Sequence, residues 1–224
     1  MAGTAIISYD GTENDDDALA LGQMLAPAGF TLELAYVRHS REFDPAREDL
    51  AQHDAQQRLD RGAILLDDPG VARHVVFGAS TGERLGELAA GLGASLVIFG
   101  SDYRTSPGHV APGTSAQHLL DGSRVAVAIA TAGLRRQIGE PLRAIAVPLA
   151  GPVNDVARQT ARGLADRLGA DIVDSPTQAV QLIVVGSQPA ASPGHIAIGG
   201  DVRAELDRAR SSVLVLPAEA PLLP

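Results

Sequence analysis

The sequence contains one strand-and-loop segment twice, and this duplication restricts the folds that the chain can adopt. Residues 96–101 read LVIFGS, and residues 182–187, which begin 86 positions later (182 − 96), read LIVVGS. The loops that follow repeat SPGHVAPG at 106–113 and SPGHIAIG at 192–199, with six of the eight positions identical and no gap. Agreement at a constant offset indicates an internal duplication.

The hydrophobic pattern of the first half predicts alternating strands and helices. The apolar runs show no polar alternation, which is typical of strands buried on both faces in a parallel sheet. Helical periodicity separates these runs and predicts a doubly wound sheet with right-handed crossovers. The predicted strands are Thr4–Tyr9, Thr31–Val37, Val71–Phe77, Leu96–Phe99 and Val125–Ala130, and the predicted helices are Asn14–Met24, Phe43–Leu66, Thr81–Leu92 and 114–122.

The second half restarts the same pattern but is shorter. From Gly11 to Gly100 the chain advances 89 positions, whereas from Gly151 to Gly186 it advances 35, a difference of 54 (89 − 35). This loss predicts a truncated copy, with a complete domain at 1–132, a linker at 133–140 and a shortened domain at 139–224. The predicted elements of the second half are strands at Leu142–Leu149, Ala170–Val173, 182–186 and Ser212–Leu216 and a helix at Val153–Leu168.

Composition excludes several chemistries. The chain has no cysteine, so it can form neither disulfides nor thiolate metal sites, and we expect a cytoplasmic protein. All 18 basic residues are arginine, which excludes a phosphate-loop lysine and a lysine Schiff base. The formal charge of −9 argues against nucleic acid or an anionic membrane as a partner, and no apolar run reaches the roughly 18 residues of a membrane span.

Two segments offer candidate sites. A strand that enters a helix through a glycine-rich loop, as after Gly100, can bind phosphates through backbone N–H groups, although an ordinary connection has the same appearance. Four carboxylates, Glu13, Asp15, Asp16 and Asp17, crowd the start of the first helix. A metal could bind there, but the helix dipole alone favours carboxylates at this position, so we predict no metal site.

These residues together resemble the universal stress protein family in a tandem arrangement. The segment Ile6–Thr12, an apolar strand ending in Asp10, resembles the first hallmark of the family. The spacing after the fourth strand resembles the late glycine motif of the family. Two residues separate Gly100 from Tyr103, and nine more separate Tyr103 from Gly113-Thr114. The resemblance implies an α/β fold of the adenine-nucleotide alpha-hydrolase-like type: a doubly wound parallel five-stranded sheet, followed by a shortened copy.

The resemblance also implies a binding site for ATP, with Mg²⁺ accompanying the nucleotide. In nucleotide-binding members the equivalent of Asp10 and a residue after strand two, here near Val37, hold adenine and ribose. The glycine loop holds the phosphates, which implies roles for Gly100, Ser101, Gly113, Thr114 and Ser115. This placement agrees with parallel sheets in general, because ligands bind at the carboxyl ends of strands where the winding reverses, here between strands one and four.

Departures from the family pattern weaken the site. Tyr103 replaces the second motif glycine, so its ring could block the phosphates, and Gly108 could supply the lost turn. The second half departs further from the pattern. Ala150 stands in place of the aspartate, Pro189 in place of the second glycine and Gly200 in place of the hydroxyl residue, and Asp201 adds negative charge. We therefore predict that this half binds no nucleotide.

His109 and His195 occur in both copies of the loop, including the copy that has lost its nucleotide residues. A phosphate-binding or catalytic role is one interpretation, but a turn packed between the halves accounts better for their presence in both copies. No catalytic residues are predicted.

We therefore expect a stress-response regulatory protein that binds an adenine nucleotide in its first domain, hydrolyses it little or not at all, and acts through protein partners that the sequence does not identify. The alternative is an interaction scaffold of the same fold that has lost nucleotide binding. An ATP-using enzyme would require a metal-held triphosphate, with the acidic side chains pointing into the cleft.

The two halves should meet through their last strands. Val125–Ala130 and Ser212–Leu216 are both apolar and would each be an aggregation-prone edge if exposed. We predict that they pair antiparallel, with both Ser-Pro-Gly-His loops near this seam. Truncation leaves Ala170–Val173 as a free edge, where a second chain could pair to form a homodimer.

Overall fold

The computed structural model describes residues 3–148, 155–173 and 180–222. These residues form nine strands: β1 (Gly3–Ser8), β2 (Phe30–Arg38), β3 (Ala72–Phe77), β4 (Leu96–Phe99), β5 (Ala126–Ile129), β6 (Ala144–Ala146), β7 (Asp171–Val173), β8 (Leu182–Gly186) and β9 (Ser212–Leu216). They also form six α-helices: α1 (Glu13–Leu25), α2 (Pro45–Leu65), α3 (Thr81–Leu92), α4 (Thr114–Leu120), α5 (Asp155–Leu168) and α6 (Gly200–Arg208).

All nine strands belong to one sheet, in the order β3-β2-β1-β4-β5-β9-β8-β6-β7. The sheet therefore has nine strands instead of the expected five, because the strands of both halves hydrogen-bond into a single layer. Neighbouring strands run parallel except at β5 and β9, which pair antiparallel through Val127–Val215, Ala128–Leu214 and Ile129–Val213. The predicted antiparallel junction between the halves is therefore confirmed.

Helices cover both faces of the sheet, as the unbroken apolar runs predicted. Residues of α1, α2 and α5 pack with Ala5 and Ile7 of β1 in one cluster of buried side chains. Residues of α3, α4 and α6 pack with Ile6 in a second cluster on the opposite face. Because successive side chains of a strand point to opposite faces, one short strand contributes to both clusters.

Helix and strand boundaries follow local capping chemistry. The α3 helix begins and ends where the periodicity predicted, with the Ser80 hydroxyl accepting from the Glu83 N–H at its start. The α2 helix begins two residues later than predicted, because Asp44 caps it and Pro45 fills its first position, which leaves Phe43 in solvent. In the second half, the predicted end of the first strand at Leu149 and the predicted helix start at Val153 lie outside the described residues.

The two Ser-Pro-Gly-His loops lie beside the seam, as predicted. The Gly108 N–H donates to Ala132 O at 2.8 Å, just after β5, and the Gly194 N–H donates to Ala218 O at 2.7 Å, just after β9. The second loop also crosses the seam, because Arg124 Nε donates to His195 Nε2 at 3.0 Å. This contact supports a packing role for His195. His109 bonds within its own turn, to Pro107 O at 3.3 Å.

The segment predicted as a linker is anchored to the first half. Asp17 of α1 is completely buried, and its carboxylate accepts from the N–H groups of Gly133 and Arg135 at 2.8 and 2.7 Å. The Arg135 guanidinium also donates to both oxygens of this carboxylate at 3.1 Å. These bonds fix the 3₁₀ turn Leu134–Gln137, from which the chain enters the second half.

Strand β7 forms one edge of the sheet, as predicted for Ala170–Val173. Its Ile172 is 44% exposed. Pairing of this edge with a second chain stays a prediction.

Candidate functional site

A cavity of about 440 Å³ opens at the carboxyl ends of β1, β2 and β4. The strand order reverses between β1 and β4, because β1 connects toward β2 on one side and β4 toward β5 on the other. Crevices at such a reversal are where open α/β sheets bind ligands, and the volume is in the usual range of small-molecule sites. The seven residues predicted from the resemblance all line this cavity: Asp10, Val37, Gly100, Ser101, Gly113, Thr114 and Ser115.

Asp10 and Asp15 form a pair of carboxyl groups at the end of β1. Asp15 Oδ2 accepts from the Asp10 N–H at 2.8 Å and from the Thr12 hydroxyl at 2.9 Å, which also caps α1. Burial, together with the hydrogen bond and charge of Asp10, raises the pKa of Asp15 to about 8. Burial opposes ionisation of Asp10, but hydrogen bonds from Asp15 and Thr12 and the Arg58 charge hold the pKa of Asp10 below its usual value. At neutral pH the pair therefore carries an ionised Asp10 and a largely protonated Asp15.

This pair predicts a pH dependence of stability. The unfolded chain releases the Asp15 proton at about pH 4, whereas the folded protein keeps it until about pH 8. The proton thus stabilises the fold fully below pH 4, and its contribution is lost as the pH rises through 8. Asp15→Asn, which imitates the protonated form, should unfold with a free energy higher than wild type by about 1 kcal/mol at pH 9, after allowance for solvent screening.

Urea unfolding at pH 5, 7 and 9 measures this effect. The difference between Asp15→Asn and wild type should shrink steadily toward pH 5, and the exposed Asp49→Asn serves as the control that should show no such trend. If the difference in unfolding free energy between Asp15→Asn and wild type did not change with pH, the raised pKa of Asp15 would be contradicted.

The other acidic residues at the start of α1 do not line the cavity, and each pairs with another side chain. Asp16 accepts from the Tyr9 hydroxyl and from Arg61, both at 3.0 Å. Glu13 and Asp17 both pair with Arg135. Only Asp15 of the four lines the cavity, and the described residues contain no group of three or more His, Asp or Glu arranged to hold a metal ion.

The glycine loop is docked on the start of α1. The Asn14 side-chain amide donates to Ser101 O at 2.8 Å, and a Cβ at Gly100 would overlap the carbonyl oxygen of Asn14. Glycine is therefore required where β4 ends, because backbone meets backbone there.

Ser101 lines the cavity, but its hydroxyl is used within the fold. It donates to Ala130 O at 2.7 Å and accepts from the Ala111 N–H at 3.3 Å. Ser187 makes the same two bonds in the second half, to Leu216 O and from the Ala197 N–H. The serine in both copies is thus explained by the attachment of the loop to the neighbouring strand end.

Gly113, Thr114 and Ser115, at the start of α4, also line the cavity. Gly113 has an ordinary φ of −70°, and a Cβ there would come no closer than 4.0 Å to another residue, Asp102. The hydroxyls of Thr114 and Ser115 make no hydrogen bond within the described part of the chain, so they are available to a ligand.

Tyr103 lies at the mouth of the cavity and does not fill it. Its side chain is 73% exposed, and the Arg104 guanidinium lies over the ring at 4.9 Å. Its φ is not positive, since only Asp67 and Glu219 among the described non-glycine residues have positive φ. Gly108 supplies the left-handed turn of this loop with a φ of 79°, as the sequence suggested.

The far end of the cavity contains residues that the sequence analysis missed. His39 Nδ1 contacts Gly78 O at 3.0 Å and its Nε2 contacts the Thr81 hydroxyl at 3.2 Å, which joins the ends of β2 and β3 to α3. The signal was present, because His39 is the first residue after β2. Val37, the last residue of the predicted strand, is followed by one more strand residue, because β2 continues to Arg38.

The second half has a smaller cavity at the corresponding loop, of about 230 Å³. Its described lining includes Ser187, Gln188, Pro189 and Val156. Ala150, the counterpart of Asp10, lies outside the described residues.

The fold and the cavity define the class: a three-layer α/β protein with a ligand-sized cleft at the reversal of strand order. None of the helices in the described ranges combines the length and apolar character needed to cross a membrane.

Comparison with solved structures agrees with this class. A universal stress protein from Archaeoglobus fulgidus DSM 4304 aligns over 96% of this chain and 98% of its own, with a TM-score of 0.72 and 14% identity. A functionally unknown protein from Pseudomonas aeruginosa PAO1 aligns over 97% and 93%, with a TM-score of 0.62 and 14% identity. The chain therefore has the fold of universal stress proteins. No protein-family model and no curated protein matches the sequence.

Proposed function

We propose that this protein is a universal stress protein that binds ATP in the cavity of its first half. The observation that carries the proposal is the cavity itself, at the reversal of strand order, lined by all seven residues that the resemblance implies. Adenine would lie near Tyr36, Val37 and His39, the ribose hydroxyls would donate to ionised Asp10, and the phosphates would extend toward Gly113–Ser115.

The cavity can also accommodate a divalent cation with the nucleotide. Mg²⁺ prefers oxygen ligands and commonly binds through one or two carboxylates plus substrate phosphates, and the carboxylate residues Asp10 and Asp102 line this space. The cation would neutralise phosphate charge at a lining that contains no arginine.

A regulatory role fits the lining better than catalysis. Two hydroxyls of the lining contact a basic group, Thr12 with Asp15 at 2.9 Å and Thr81 with His39 at 3.2 Å. Both contacts serve the fold, because Thr12 caps α1 and His39 ties the ends of β2 and β3 to α3. We infer a cytoplasmic stress-response regulator that hydrolyses ATP slowly or not at all and acts through protein partners.

The second half fits a truncated copy of the first, with domains at 1–132 and 139–224. Support comes from the strand order, because β9-β8-β6-β7 repeats β5-β4-β1-β2, with no counterpart of β3 among the described residues. The free edge at β7 would allow a homodimer. Pro189 and the smaller cavity support a single nucleotide site per chain.

Calorimetry with ATP and Mg²⁺ tests the proposal. We expect one site per chain, with affinity reduced at least about tenfold by Asp10→Ala, which removes the ribose acceptor, and by Gly113→Val, whose side chain would occupy the cavity. Asp201→Ala, in the first turn of α6 at the corresponding position of the second half, is the control and should leave the affinity unchanged. Two equivalent sites, or binding indifferent to Asp10 and Gly113, would contradict the proposal.

The alternative is an interaction scaffold that binds no nucleotide. Tyr103 favours it, since this side chain stands where nucleotide-binding members of the family have glycine. Absence of binding heat with every adenine ligand would support this alternative.

A further inference from the structure

Asp102 holds a negative charge at the glycine-loop end of the cavity. Its N–H donates to Ala111 O at 2.8 Å, and its Oδ1 accepts from the Arg104 N–H at 3.0 Å, so both backbone and carboxylate are positioned. Its Oδ2 lies 4.0 Å from the point that a Cβ on Gly113 would occupy. The carboxylate therefore stands beside the wall toward which the phosphates are proposed to extend.

No arginine side chain lines the cavity to offset this charge. Its lining contains three aspartates, Asp10, Asp15 and Asp102, and neither Arg58 nor Arg104. Arg104 lies over the Tyr103 ring, and Arg58 donates to the main-chain oxygen of Asp10 from the α2 side. A polyphosphate without a cation would thus bring several negative charges toward a carboxylate in a partly enclosed space, where screening by water is incomplete.

The second half shows that the loop does not need a carboxylate at this position. Gln188 is the counterpart of Asp102 at the constant offset of 86 (188 − 102). Its N–H makes the same bond, to Ala197 O at 2.8 Å, and its amide oxygen lies 3.3 Å from the corresponding Cβ position on Gly199. A neutral side chain therefore supports the same loop geometry, which separates the charge of Asp102 from its role in the fold.

We propose that Asp102 is a specificity-determining residue that disfavours metal-free polyphosphates, so that the cavity accepts adenosine and nucleotides of low charge directly and binds a nucleoside triphosphate more tightly when a divalent cation accompanies it. This inference rests on the proposed function and defines its ligand class. The cation acts by neutralising the charges that face each other, and a carboxylate near the phosphates is a ligand that Mg²⁺ accepts, directly or through water.

Calorimetry tests the inference. Wild type and Asp102→Asn are each titrated with adenosine, AMP and ATP, and the ATP titration is done once in EDTA and once in excess Mg²⁺. In EDTA, Asp102→Asn should bind ATP about tenfold more tightly than wild type does, and this gain should shrink at high salt because screening weakens the repulsion. Adenosine affinity should agree within about twofold between the two proteins, since the nucleoside carries no charge. With Mg²⁺ the gain should disappear or reverse.

Asp102→Gln, which copies the second half, is the structural control and should behave as Asp102→Asn does. If adenosine binds but metal-free ATP binds equally to wild type and both variants, the inference is wrong and the proposed nucleotide site stands. Equal changes for adenosine and ATP would show that Asp102 only shapes the loop, and would also overturn the inference. If neither protein binds any adenine ligand, the proposed function fails and the inference fails with it.

Discussion

Replacing Asp17 with alanine should lower the free energy of unfolding by about 3 kcal/mol. The carboxylate is completely buried and accepts from the N–H groups of Gly133 and Arg135 and from the Arg135 guanidinium. Alanine would leave buried donors without a partner, and this desolvation penalty is larger than the net value of an ordinary hydrogen bond. The loss should be global, because these bonds fix the turn that leads from the first half into the second.

Glu13→Ala is the matched control for Asp17. Glu13 also pairs with Arg135, but its side chain is 77% exposed. An exposed ion pair contributes roughly 0–1 kcal/mol, so this change should shift the denaturation midpoint little. Urea unfolding of both variants gives the comparison. If Glu13→Ala and Asp17→Ala lowered the free energy of unfolding equally, burial of the Asp17 carboxylate would not be the cause of the loss.

Gly100→Ala should be similarly damaging, with a loss of about 3 kcal/mol in the free energy of unfolding. The new Cβ would overlap the carbonyl oxygen of Asn14 and lie 2.5 Å from its carbonyl carbon. Both are backbone atoms, so no rotation of a side chain relieves the overlap, and α1 must move away from the end of β4. This movement would also displace the loop that forms one wall of the cavity, so ATP binding should be lost with the stability.

Gly113→Ala is the control at the other end of the same loop. Its Cβ would meet nothing closer than 4.0 Å, and its φ of −70° suits any residue. Chemical unfolding should show a change within about 0.5 kcal/mol for Gly113→Ala. A Gly100→Ala protein as stable as Gly113→Ala would show that the loop is not held against α1 as described.

The sequence allowed the layout of the fold to be predicted because its signals are local. Runs such as Leu96–Phe99 have no polar residue, so burial on both faces followed directly, and two apolar edges required covering, which led to the pairing of β5 with β9. The seven residues that the family resemblance implied line one cavity, in agreement with the rule that the carboxyl ends of parallel strands meet at one edge of a sheet. The predicted pairing of the two edges also implies that both halves share one sheet, and the structure shows nine strands in it.

Side-chain directions could not be predicted, because they depend on contacts between distant segments. Helical spacing groups Glu13 with Asp17, and both pair with Arg135, but only the packing of α1 decides that Asp15 is the acid that lines the cavity. The Ser101 hydroxyl was expected at a ligand and instead bonds Ala130. His39 meets Thr81 across 42 positions of sequence, and no periodic pattern reports such a contact.

The antiparallel junction of β5 and β9 has a directional consequence for the whole molecule. Strands β1, β2 and β4 run parallel to β5, and β8 runs parallel to β9, so their carboxyl ends lie at opposite edges of the sheet. The cavity of the first half and the loop after β8 therefore open toward opposite poles. A molecule docked over one pole would leave the other uncovered, and the two poles differ in the cavity that each presents.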